Sequence, residues 1–298
     1  MLNKKLPAIA FFVYNRPEHT RITINKLINN NSSKKYEIYI FADAPKKLND
    51  KLNVQKVRNF LKEIKHFKKI KIIKRKKNLG LSRSLRQGLD YLFSFNDKVI
   101  IIEDDNLTNR YFLDYMSGAL NYYENEHYIG SVSGYSFTDQ LPNDYKKNMY
   151  LGYRHSSWGW GTWKHVWKEI NWDKRWINNR AKRKNFRKLF NIGGNDMYHI
   201  LLEQIKGNID SWSIIFDLNC FILKKFCACP KKSLVQNIGF DGSGVHCKEN
   251  MDVFNNFDKK FTIKRFYSLE INNKIIKSIK NSFKVSLIYK IRTILNLF

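Results

Sequence analysis

Val99-Ile100-Ile101-Ile102-Glu103-Asp104-Asp105 decides the reading of this chain, because four β-branched apolar residues end abruptly in three adjacent carboxylates. Such a run reads as a strand covered on both faces, the usual state of a central strand in a parallel sheet. Ligands of open α/β sheets bind outside the carboxyl ends of the strands, so these acids stand where a ligand would. Crowded carboxylates repel one another, and a divalent cation with oxygen ligands is the simplest group that stabilises them. The competing reading is a strand end of solvated acids that merely opens the next helix.

On the N-terminal side of this stretch, residues 8–14 form an apolar run that Asn15-Arg16-Pro17-Glu18 breaks, opening a helix with Ile22, Ile24, Leu27 and Ile28. Residues 36–41 alternate apolar and polar side chains before Ala42-Asp43-Ala44-Pro45, which predicts a second strand ending on a carboxylate and a proline turn. Val54, Val57, Phe60, Leu61 and Ile64 then recur at helical spacing, followed by a short strand over 70–73, a turn at Asn78-Leu79-Gly80 and a helix over 82–93. Four β-α units in about a hundred residues describe an α/β fold with a Rossmann-like, mostly parallel central sheet flanked by helices. The turns carry neither G-x-G-x-x-G nor G-x-x-x-x-G-K-[S/T], so neither a dinucleotide fold nor a P-loop nucleotidase is supported.

The chain of 298 residues is long enough for a full core, and 43% hydrophobic with 15% aromatic content makes it globular. Cys220, Cys227, Cys229 and Cys247 include no C-x-x-C pair, which argues against structural zinc and fits reduced thiols. Residues 1–7 show no signal-peptide hydrophobic region, and no stretch approaches the roughly 20 apolar residues of a membrane span. A cytoplasmic protein is the expectation. Lys and Arg number 54 against 26 Asp and Glu, a formal charge of +28, which predicts attraction to a polyanion. A nucleic-acid-binding protein is the alternative this charge raises. Against it, Lys74-Arg75-Lys76-Lys77 and residues 180–188 lie apart from the aromatic stretch 156–163, and no helix-turn-helix, zinc-finger or RNP pattern appears.

Residues 271–298 stand apart. Ile271, Ile275, Ile276, Ile279, Phe283, Leu287, Ile288, Ile291, Leu295 and Phe298 recur at intervals of three and four, with Lys274, Lys277, Lys280, Lys284, Lys290 and Arg292 between them and no acid. This is the pattern of a basic interfacial helix on an anionic leaflet, or of a terminal helix packed on its own domain.

Taken in order, Tyr14-Asn15-Arg16-Pro17, Asp43, Asn78-x-Gly80-x-Ser82 before Gly88-Leu89, and Glu103-Asp104-Asp105 resemble the nucleotide-sugar-dependent glycosyltransferases of the GT-A fold. The acidic triplet is similar to that family's D-x-D metal motif in a Glu-Asp-Asp form. Trp158-Gly159-Trp160-Gly161-Thr162-Trp163, Asp210-Ser211-Trp212 and residues 237–247 further resemble N-acetylglucosaminyltransferase I and bacterial sugar transferases of lipopolysaccharide and capsule loci. The resemblance implies a GT-A domain over 1–268, with a nucleotide-sugar-binding half (1–107), an acceptor-binding half with a lid (108–268), and a basic amphipathic tail (269–298). It implies Mn²⁺ or Mg²⁺ on Asp105, with Asp104 in support, Glu103 at the ribose and Asp43 at the uracil, unless Asp43 simply forms its turn. Arg16, Arg83 and Arg86 are candidates for the diphosphate, although Arg83 and Arg86 depart from the family pattern and read rather as exposed helix cations.

An inverting transfer also needs a base, and Asp210 matches the family's aspartate beside a tryptophan; partial burial against Trp212 would strengthen it, and helix capping is the competing role. Asp217 and Asp241 are fallback choices. Trp158, Trp160, Trp163 and Trp212 are expected to divide between a sugar platform and the core. Gly239, Asp241, Gly242 and Gly244 suit a lid, and His246 could complete the metal or diphosphate shell. The implied activity is a metal-dependent, inverting hexosyl- or N-acetylhexosaminyltransferase that uses a UDP-sugar. Its acceptor is a surface glycan or lipid-linked glycan at the inner face of the cell membrane, reached through the tail, with no nucleic-acid partner. A catalytically inactive scaffold of the same fold is the other alternative.

Overall fold

The computed structural model describes residues 5–138, 141–241 and 257–283. Its first half runs β1 (Ala8–Val13), α1 (Pro17–Ile28), β2 (Glu37–Ala42), α2 (Lys51–Glu63), β3 (Lys69–Lys74), α3 (Leu81–Phe93) and β4 (Lys98–Glu103). Then follow β5 (Asn106–Thr108), α4 (Phe112–Tyr122), β6 (Ile129–Ser133), β7 (Met149–Gly152), β8 (Trp160–Trp163), α5 (Lys164–Lys168), α6 (Lys174–Ala181) and α7 (Phe186–Phe190). The last elements are α8 (Met197–Lys206), α9 (Trp212–Ile222), β9 (Phe226–Pro230), β10 (Val235–Asn237) and α10 (Asn273–Ser282).

Among the described residues eight strands make one sheet in the order β3-β2-β1-β4-β8-β6-β9-β7, while β5 and β10 form a separate antiparallel ribbon. Only β8 and β7 run against the common direction of the sheet. Val99, Ile100, Ile101 and Ile102 of β4 are completely buried, and each contributes roughly 1.5–3 kcal/mol by leaving water. Edge strand β3 instead exposes Lys69, Lys71 and Lys74, charges that discourage pairing with another chain.

Strand register places the candidate site. Phe12 of β1 pairs with Phe41 of β2 on one side and with Glu103 of β4 on the other. The residues two beyond these, Tyr14, Asp43 and Asp105, therefore leave the sheet level with one another on a single rim. The ribbon brings a fourth segment there, since Asn237 of β10 pairs with Asn106, directly after the acids.

The C-terminal segment belongs to this domain. Asn109 Nδ2 donates to the carbonyls of Asp258 and Phe261, both at 2.9 Å, and Tyr123 Oη donates to the carbonyl of Tyr267 at 2.9 Å. In α10, Ile275 and Ile279 pack with Tyr135, Phe137 and Tyr150, and Ile276 is also buried. Of the two readings of the tail, the packed one describes its start: the apolar stripe over 275–279 turns onto the domain, where an aromatic surface takes it out of water as lipid would. Residues 284–298 of the tail lie outside the described residues. Among the described residues no helix is long and apolar enough to cross a membrane.

Candidate active site

The three acids emerge from β4 into a polar cradle. Asp104 and Asp105 are buried, and the β1–α1 turn delivers Arg16 to both, its Nη2 donating to Asp104 Oδ1 and, at 2.9 Å, to Asp105 Oδ2. The other oxygen of Asp105 accepts from Asn106 Nδ2 at 2.8 Å. Asn106 Oδ1 accepts from the backbone N–H of Glu103 at 3.2 Å and of Gly159 at 3.1 Å, which ties the acidic tip to the tryptophan-glycine stretch. From α1, Thr23 Oγ1 donates to the Asp104 carbonyl at 2.8 Å.

One guanidinium does not balance three carboxylates. Burial, then repulsion from Asp105 and Asp104, pushes Glu103 well above the usual carboxylate range, and burial pushes Asp104 up to about 6 in spite of Arg16. An all-oxygen set with unmet negative charge fits a hard divalent cation such as Mg²⁺ or Mn²⁺, and Asp105 and Asp104 are the carboxylates that would hold it. Among the described residues no three carboxylate, histidine or cysteine side chains converge into a complete cage. One or two carboxylates suffice where phosphate oxygens and water complete the octahedron.

Asp43, at the end of β2, is also satisfied by backbone. Its carboxylate accepts from Ala44 N at 2.8 Å, Leu79 N at 3.0 Å and Gly80 N at 3.1 Å, which locks the 78–80 turn to the tip of β2. Gly80 has φ +72°, a left-handed conformation that glycine adopts without strain. A Cβ on Gly80 would lie 3.5 Å from Asp210 Oδ2, so this turn places Asp210 on the rim that carries Asp43.

Asp210 does not cap α9. Ser211 does, its Oγ accepting from Ile214 N, and among the described residues no hydrogen bond engages the Asp210 carboxylate. The expected burial against Trp212 is not found: Asp210 is exposed, while the Trp212 indole stacks on Trp160 in the core with centroids 4.9 Å apart. Trp163 is likewise a core side chain, its Nε1 donating to the Leu120 carbonyl at 3.0 Å. Of the stretch 156–163, Trp158 alone among the tryptophans is partly exposed, edge-on to Tyr135 at 4.6 Å and to Phe240 at 5.7 Å. The flat indoles of Trp160 and Trp163 lie in a strand with 0–1% exposure, so packing rather than ligand stacking fixes them.

The arginines of α3 do not reach the acids. Arg86 lies over the Trp172 ring at 4.4 Å, where burial lowers its pKa and the nearby charges of Asp90 and Asp210 oppose that lowering. Arg83 is exposed. The root of the expected lid, in contrast, touches the acidic tip directly. Ile238 N donates to the Asp105 carbonyl at 2.9 Å, and a Cβ on Gly239 would stand 2.6 Å from Asp105 Oδ2 and 3.1 Å from Arg16 Nη1. Asp241 Oδ2 lies 3.2 Å from His19 Nε2 of α1. Gly242, Gly244 and His246 lie outside the described residues.

Three residues of this cluster escaped the sequence reading: Asn106, Thr23 and His19. Asn106 carried a signal, since a polar residue directly after a buried acidic tip must find partners for its own amide. Thr23 and His19 gave none, being ordinary helix positions.

A second buried polar group holds the fallback base. Asp217 Oδ1 accepts from the backbone N–H of His155 at 2.7 Å, His155 Nδ1 pairs with Ser131 Oγ at 2.7 Å, and Arg154 forks onto Asp196 at 2.7 and 3.0 Å. Burial pushes Asp217 up to about 7 and His155 down to about 3. A cleft of about 610 Å³ between residues 141–144 and α10 shares no residue with either group.

Residues 9–200 match the family model described as glycosyl transferase family 2. No curated protein matches the sequence. Among solved structures, S. aureus TarS is 13% identical with a TM-score of 0.42, over 76% of this chain and 36% of that one. TarS 1-349 in complex with UDP is 12% identical with a TM-score of 0.43, over 76% of this chain and 59% of that one. The mannosyltransferase PcManGT from Pyrobaculum calidifontis, in complex with GDP-Man and Mn²⁺, is 10% identical with a TM-score of 0.43, over 74% and 70%. The chain therefore spans only 36% of the length of TarS and 59% of its 1-349 fragment.

Proposed function

From a chain that belongs to glycosyl transferase family 2 and has the α/β architecture of the GT-A fold, we propose a metal-dependent, inverting transferase that takes a sugar from a UDP donor. The acceptor in this reading is a surface glycan or a lipid-linked glycan held at the inner face of an anionic membrane. The observation that carries it is the meeting of Asp43, Asp105 and Asp210 on one rim, from three distant parts of the chain.

In this reading the donor's base lies by Asp43 and the 78–80 turn, and its diphosphate lies over Glu103, Asp104 and Asp105. Asp105, with Asp104 in support, would hold Mn²⁺ or Mg²⁺, which would supply Lewis-acid stabilisation to the departing diphosphate. Arg16 holds the two aspartates in place and offers its remaining N–H groups to the same phosphates. Asp210 takes the proton from an acceptor hydroxyl, whose oxygen then bonds to the anomeric carbon on the face opposite the breaking bond to phosphate. Its lack of hydrogen bonds among the described residues leaves both oxygens available for that proton. Trp158, at the root of the lid, presents the accessible aromatic face against which a pyranose packs. Gly239, seated on Asp105, and Phe240, beside Trp158, border the place where the donor would lie.

The test is a panel of nucleotide sugars with Mn²⁺, Mg²⁺ or EDTA, applied to wild type and Asp105→Ala, read as thermal protection and slow donor hydrolysis. Protection by one UDP-sugar that requires metal and is lost in the variant supports the reading. Protection by no nucleotide sugar under any metal overturns it.

A further inference from the structure

Between β8 and α8 the chain builds a face whose charge the transfer chemistry does not use. Residues 174–188 hold Lys174, Arg175, Arg180, Lys182, Arg183, Lys184, Arg187 and Lys188, with no acid among them. All but Arg180 are exposed, and among the described residues none of the exposed seven has a carboxylate partner. Arg180 instead lies over the Trp176 ring at 5.2 Å. Beneath them, Ile177, Ala181, Phe186 and Phe190 form the inner side of α6 and α7, packed on Met197 and Leu201 of α8 and on Ile214 of α9. The face is thus held rigid by its own small core, and Leu189 projects from it 56% exposed.

We propose that this α6–α7 face docks on an anionic phospholipid surface. Seven cations without a carboxylate partner among the described residues, four on two short helices and three in the turn that joins them, with one leucine standing out among them, have the make-up of an interfacial patch: dispersed positive charge for lipid headgroups and an apolar tip for the acyl boundary. A nucleic acid is the other polyanion such a charge would attract. It binds best where rings are free to stack on bases, and here Phe186 and Phe190 are buried and Trp176 is covered by Arg180. The assignment also moves the membrane contact away from the stripe over 275–279, which the domain covers. Because α8 packs between α6–α7 and α9, the docked face and Asp210 at the entrance to α9 belong to one helical unit. The use of that arrangement, bringing the base to a lipid-linked acceptor, rests on the transfer reading above; the docking itself does not.

The full chain would be floated with vesicles of phosphatidylcholine alone or mixed with phosphatidylglycerol. Wild type should bind the anionic vesicles only and release as salt rises. The combined variant Lys182→Gln, Arg183→Gln, Lys184→Gln, Arg187→Gln, Lys188→Gln should bind about a hundredfold more weakly or worse, and Lys274→Gln with Lys277→Gln on α10 should bind as wild type. Equal binding by the five-site variant, or loss of binding in the α10 variant, overturns the proposal. So does a labelled oligonucleotide that binds the wild type while anionic vesicles do not. Nucleotide-sugar protection measured on the same samples verifies folding and separates the two readings: vesicle binding can vanish with protection intact, and the reverse.

Discussion

Asp217→Asn should change how stability depends on pH, by an amount that follows from the buried pair it disturbs. Asp217 titrates near 7 in the folded protein because burial raises it, and His155 near 3 because burial lowers it. On acidification from pH 7 to 5 the folded state takes up a proton at Asp217 that the unfolded chain, with a carboxyl near 4, still lacks, so this group stabilises the fold. His155 acts oppositely: the unfolded imidazole, near 6.5, gains a proton that the buried ring refuses, so stability is lost as pH falls below about 6.5. Linkage gives each effect about 2 kcal/mol over that interval, with opposite signs. They nearly cancel in the wild type.

Asparagine keeps an oxygen for the His155 N–H and removes the titration. The variant should therefore lose about 2 kcal/mol more than the wild type between pH 7 and 5, with the two differing most in the acid arm. Urea unfolding followed by tryptophan fluorescence at both pH values measures this directly. Parallel pH profiles for the two proteins would refute the assignment of opposed titrations to this pair.

Gly239→Ala should abolish metal-dependent donor protection while leaving the melting temperature within a few degrees, because its methyl would enter 2.6 Å from Asp105 Oδ2 at an edge of the domain rather than in its core. Calorimetric titration with the UDP-sugar found in the panel checks it. Asn106→Ala should cost about 1–3 kcal/mol of stability, since the Gly159 and Glu103 N–H groups and Asp105 lose their shared partner, and thermal unfolding reads that loss. Asp210→Asn should lower kcat by about a hundredfold or more with donor affinity unchanged; an unchanged kcat would remove Asp210 from the role of base.

The first hundred residues were legible because the inner strands carry apolar runs, the edge strand alternates, and the helices keep a clean period, as in β4, β3 and α3. Asp43 and the acidic triplet were legible because register carries both to one rim, and register follows from the pattern that buries the strands. The tryptophans were not. Trp160 and Trp158 look alike in sequence, yet the alternation of β8 and the turn before it send one into the core and leave the other at the surface. Arg86 lies over an indole because Trp172, far off in sequence, stands opposite it. The stripe of α10 posed a different difficulty: period and charge report that a face wants cover, and an aromatic core satisfies that want as well as lipid does.

The pairing of Asn237 with Asn106 has a consequence for the order in which the protein becomes functional. It closes a loop of about 130 residues, a slow and entropically costly contact that forms only after most of the chain is available. Ribosome-borne chains ending near residue 200 would own the acids and strands β1 to β4 but neither β9, which joins β6 to β7 in the sheet, nor Asp210, nor the glycine seated on Asp105. Synthesis therefore delivers the acidic strand tip first and completes the rim around it last.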